Sequence, residues 1–92
     1  MTHMFIQIKI MSFNEEGVDT ALKSLNDSNI GCISVNEFNY EDEQYFAVVT
    51  AKTVVPVNPN YKQDYEVKMY DKLYDILDCN NYDYMVEEIF YE

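Results

Sequence analysis

A chain of 92 residues, nearly half of them apolar and including nine Tyr and five Phe, is long enough for one domain with a modest core that needs neither disulfide nor metal. Seventeen Asp and Glu against six Lys and no Arg give a formal net charge of −11, a field that repels nucleic acid and anionic membranes and attracts basic partners. No apolar run approaches the roughly 20 residues of a membrane span, so residues 1–92 are expected to form a single soluble acidic domain.

Met4, Ile6, Ile8 and Ile10 alternate with Phe5, Gln7, Lys9 and Met11, the period of a strand with one face on a core, and predict β1 over 3–11. Asn14 is placed to cap a helix that opens with Glu15 and Glu16 at the positive end of its dipole. Val18, Ala21, Leu22 and Leu25 then give that helix, α1 over 15–27, its apolar stripe. Asp27-Ser28-Asn29 stops it, and 32–38 reads as β2 with Ile33 and Val35 inward. Residues 39–43 are expected to turn the chain. Tyr45–Ala51, the most continuous apolar run, then forms β3 in the middle of a sheet.

Pro56 and Pro59 demand a loop over 52–63. Asp64 is a candidate cap for α2 over 65–78, whose buried stripe is read as Val67, Tyr70, Leu73, Tyr74 and Leu77, with Met69 and Ile76 beside it. The segment 82–92 fits both a helix template, through Tyr82, Met85, Val86, Ile89 and Phe90, and a strand by its Tyr, Val, Ile and Phe content. Strand is chosen because it completes a βαββαβ order. The expected fold is therefore α+β and ferredoxin-like: an antiparallel sheet with β1 and β3 central, two helices on one face, and a last strand that could instead be helix.

Catalytic and metal signatures lack their parts. Gly17 and Gly31 form no phosphate loop, and His3, Cys32 and Cys79 cannot supply four zinc ligands at recognised spacing. The thiols of Cys32 and Cys79, distant in sequence and preceded by no signal-peptide pattern, are expected reduced and packed. Ser12 and Ser34 have no triad partners, and Glu37–Glu43 lacks the spaced oxygens and turn glycine of a calcium loop. Neither enzymatic activity nor a metal or cofactor is expected.

The carboxylates do form a pattern. Asp71, Asp75 and Asp78 stand at i, i+4, i+7, with rises of about 6 Å and about 4.5 Å along one helix face. From residue 64 onward nine acids face two lysines. Seventeen carboxylates equal the phosphate charge on roughly 29 Å of duplex, close to the about 32 Å expected across a compact domain of this length. An ordinary solvated surface accounts for the same count without any partner.

Length, acidity, the βαββαβ-like pattern and the acidic, Tyr-rich end Met85-Val86-Glu87-Glu88-Ile89-Phe90-Tyr91-Glu92 together resemble the Arn-type anti-restriction proteins of T-even bacteriophages over essentially the whole chain. The resemblance implies a homodimeric DNA mimic acting in the host cytoplasm. Its carboxylates would occupy the DNA sites of basic host DNA-binding proteins, namely McrBC-type restriction nucleases and a histone-like nucleoid protein. Glu37, Glu41, Asp42, Glu43, Asp71, Asp75, Asp78, Asp83, Glu87, Glu88 and Glu92 are then the candidate contacts. Two other readings stand beside it: an anti-CRISPR-type inhibitor using the same electrostatics, and a non-catalytic assembly subunit pairing through the helix-free sheet face around Phe5 and Met11.

Overall fold

The computed structural model describes residues 2–92. In β1 (Met4–Ser12) the alternation is realised directly: Met4, Ile6, Ile8 and Ile10 are buried, while Phe5, Gln7, Lys9 and Met11 face the opposite, half-covered side. Asn14 caps α1 (Glu15–Asp27), accepting a hydrogen bond from the Gly17 amide at 2.6 Å. Val18, Ala21 and Leu25 of that helix are fully buried. At its end the Ser28 amide and hydroxyl both donate to the Leu25 carbonyl, and Asn29 takes a left-handed φ of 58°.

β2 (Cys32–Glu41), β3 (Gln44–Lys52) and β4 (Asp83–Tyr91) join β1 in a four-stranded sheet of order β2-β3-β1-β4. Each neighbouring pair is antiparallel, the arrangement of a ferredoxin-like α+β fold. α2 (Lys62–Ile76) contributes Met69 and Leu73 to the same core cluster as α1, with Leu77 just beyond its end, so both helices cover one face of the sheet. The segment left open between strand and helix class is strand. It extends to the end of the chain, where His3 and Glu92 exchange both backbone hydrogen bonds at 2.8 and 3.1 Å.

Several sequence expectations are corrected. The acidic turn expected over 39–43 contracts to Asp42 and Glu43, because Glu41 pairs with Gln44 and the strands run almost to the tip. Both tip residues have positive φ, 52° and 66°, as a two-residue hairpin turn of type I′ demands. The long loop contracts to 53–58. It is followed by a 3₁₀ turn, Pro59–Tyr61, that Asn58 caps by accepting from the Asn60 amide at 3.0 Å. The helix thus begins before Asp64, which lies in its first turn rather than capping it.

The stripe of α2 is also shifted. Val67, Tyr70 and Tyr74 are 54%, 46% and 57% exposed, whereas Met69, Leu73 and Leu77 are buried with Tyr65 and Ile76 beside them. The row Met69, Leu73, Leu77 at i, i+4, i+8 packs on the sheet, and Val67, Tyr70 and Tyr74 on its flank meet solvent. On β2, Val35 is exposed although its partner Val49 is buried, because β2 is the edge strand and lies to the side of the helical cover. Cys32 and Cys79 are exposed rather than packed.

Candidate partner-binding surface

All eleven carboxylates singled out in the sequence are solvent-exposed. Sheet order divides them. Glu37, Glu41, Asp42 and Glu43 belong to the β2–β3 hairpin at one edge of the sheet. Asp83, Glu87, Glu88 and Glu92 follow β4 at the opposite edge.

Two side-chain hydrogen bonds dock α2 along β4 and bring its acids to that second edge. The Tyr91 hydroxyl donates to Glu66 Oε1 at 2.7 Å, and the Tyr84 hydroxyl donates to Asp78 Oδ2 at 3.1 Å. The helix therefore runs antiparallel to the strand it flanks. Asp71, Asp75 and Asp78 thus lie in the helix layer at the β4 edge, whereas Asp83 and Glu88 leave that edge on the opposite, helix-free face, and the four hairpin acids lie at the other edge of the sheet.

Asp78 is not on the helix face the i, i+7 spacing implied. α2 ends at Ile76, where the Leu77 amide closes on the Leu73 carbonyl, and Asp78 opens a 3₁₀ turn (Asp78–Asn80). That turn terminates in Asn81, whose left-handed φ of 61° suits an Asn. Asp78 is held instead by Tyr84. The hydroxyl of Tyr84 has its pKa raised by burial first, then by the hydrogen bond and charge of Asp78. Burial, followed by Glu66, pushes the Tyr91 hydroxyl up to about 12.

Sequence reasoning missed two features of this side. Asp64, exposed in the first turn of α2, extends the row that Asp71 and Asp75 continue, and its i, i+7 spacing to Asp71 was available as a signal. The second is the exposed row Val67, Tyr70 and Tyr74, which runs alongside those acids. Lys62, by contrast, lies over the Tyr91 ring at 4.5 Å.

The molecule is longer than the sequence scaling implied, 42 × 23 × 19 Å. Seventeen carboxylates along 42 Å amount to one per about 2.5 Å, looser than the about 1.7 Å of duplex DNA. The duplex-like density expected for a rounder molecule is revised accordingly.

The helix-free sheet face has a different character. Phe5 and Phe90 stack with centroids 4.9 Å apart, Lys9 covers Phe46 at 4.4 Å, and Lys52 lies 5.7 Å from the Phe5 ring. By register, Glu37, Glu41, Asp83 and Glu88 flank these groups on the same face. The aromatics would suit base stacking, but two lysines against four carboxylates leave the face negative and unsuited to a phosphate backbone. Among the described residues no group of three or more His, Cys, Asp or Glu is placed to hold a metal ion, and no helix is long and apolar enough to cross a membrane.

No protein-family model matches the chain, and no curated protein matches it. Among solved structures, the designed protein "De novo designed protein Foldit4" is similar over 98% of this chain and 96% of its own, at 12% identity and a TM-score of 0.47.

Proposed function

We propose that this protein is a non-catalytic DNA mimic that occupies the DNA-binding site of a basic host protein. The restriction nucleases and nucleoid protein implied by the sequence resemblance are the leading targets. One observation supports the reading: docking of α2 on β4 sets exposed Asp71, Asp75 and Asp78 of the helix layer at the same sheet edge as Asp83, Glu87, Glu88 and Glu92, so that carboxylates line that edge on both faces. Such an edge meets Lys and Arg of a DNA-binding cleft and displaces the anions held there, so inhibition is stoichiometric occlusion. Function as a homodimer belongs to the same proposal. A second copy alongside the first raises the carboxylate density of the looser single chain toward that of a duplex.

The test is capture of host DNA-binding proteins at low salt on the immobilised protein, elution in a salt gradient, and competition with duplex DNA. Changing Asp71, Asp75 and Asp78 to Asn should lower the eluting salt, whereas changing Glu37, Glu41, Asp42 and Glu43 to their amides should change it much less. Capture that DNA does not displace, or equal loss in both variants, would count against a single mimicking side. The same gradient run with a guide-RNA effector separates the anti-CRISPR-type alternative.

Assembly through the helix-free face is the second reading, favoured by the Phe5–Phe90 stack and the half-covered Met11. In that case the α2 variant would leave association intact, while Phe5→Ser would abolish it.

A further inference from the structure

Beside α2, on the flank away from the β4 edge acids, the loop 53–58 and the α1–β2 connection enclose a cleft of about 460 Å³. That volume lies within the range of small-molecule sites. Its floor is apolar, formed by the buried Met4, Ile30, Val57 and Met69. Val54 and Val55, 70% and 71% exposed, stand along the loop wall, an unusual outlay of aliphatic surface in a chain this polar. Lys68 and Lys72, at i, i+4 on α2, form the opposite rim.

The two lysines matter because cations are scarce here. Of six, Lys9, Lys52 and Lys62 each lie over an aromatic ring, and two of the remaining three meet at this one cleft. An apolar floor with paired ammonium groups at its mouth matches a carboxylate on an apolar tail. A neutral apolar molecule would leave the lysines unused, and a polyanion would meet the surrounding negative field.

We propose that this cleft is a binding site for a small amphipathic monoanion of the fatty-acid type, its carboxylate between Lys68 and Lys72 and its tail on Met4, Ile30, Val57 and Met69. The site is independent of the partner-binding side and does not require the mimicry reading.

The probe is decanoate, titrated below its micelle concentration into the full chain and followed by calorimetry and by backbone amide shifts, with decanol as the neutral control. Saturable one-to-one binding is expected, with shifts confined to the neighbourhood of Ile30, Val55 and Met69. Changing Lys68 and Lys72 to Gln should weaken decanoate binding about tenfold, the size expected for two rim-exposed ion contacts, and leave decanol unaffected. Val55→Trp, which fills the cleft without touching its charge, should abolish binding with the far-ultraviolet spectrum unchanged. Scattered or non-saturating shifts, decanol binding as tight as decanoate, or undiminished affinity in the lysine variant would each overturn the proposal.

Discussion

Backbone conformation at single residues sets the first expectations. Gly31 has a φ of +156°, and a Cβ there would meet the backbone carbonyl oxygen of Lys52, which cannot swing aside as a side chain could. Gly31→Ala should therefore destabilise by about 2 kcal/mol or more, read as a fall in the urea midpoint at constant slope. The hairpin tip runs the other way. Asp42 and Glu43 occupy positive φ that Asn-Gly adopts with less strain, so Asp42→Asn with Glu43→Gly should raise stability by about 1 kcal/mol. Such conformational demands leave little trace in composition. Gly31 entered the sequence reading only as a glycine outside any phosphate loop, and the Asp-Glu tip looked like the end of a longer acidic turn, because nothing in those two side chains announces a left-handed backbone.

At the scale of elements, the docking of α2 on β4 rests partly on the Tyr91–Glu66 hydrogen bond. Tyr91→Phe should cost about 1–2 kcal/mol at neutral pH. The neutral hydroxyl is the form that the folded state favours, with its pKa raised from 10.0 to about 12. Its contribution is accordingly full below pH 10 and lost as pH rises through about 12, so the stability gap between wild type and Tyr91→Phe should close across that window in urea melts. On α2, Asp71 and Asp75 are like charges at i, i+4. Changing both to Asn should stabilise the helix by about 0.3–0.5 kcal/mol and leaves the Tyr84–Asp78 hydrogen bond in place, so a loss of partner capture in this double variant cannot be ascribed to unfolding.

Legibility differs between elements for physical reasons. β1, α1 and β3 were readable because each buries one regular stripe. β4 resembled a helix because its register shift skips Glu87, which places core-facing Val86 and Ile89 three residues apart instead of two. The same break at Asn36 separates Val35 from Phe38. For α2, tyrosines and valine count as apolar in a pattern search whichever way they point. The acids of the candidate side were legible as residues, but their division into two groups was not, since only strand order decides which edges they share.

Over the whole molecule, net charge acts on the fold as well as on partners. An excess of −11 on a body 42 Å long repels itself, so thermal stability should rise between low and physiological salt while capture of a basic partner falls. Opposite salt slopes from the same sample, one by calorimetry and one by retention, would separate internal repulsion from intermolecular attraction. If both slopes had the same sign, charge complementarity would not be what holds the partner.

The interruptions in β2 and β4 fall on the two strands that have a neighbour on one side only. Each outer strand is thus kinked at mid-length with acid beside the kink, Glu37 on one and Glu87 with Glu88 on the other, which denies a second molecule the straight, neutral rim needed to add a strand. Edges so guarded disfavour strand-to-strand addition between copies, the step by which crowded chains seed fibrils.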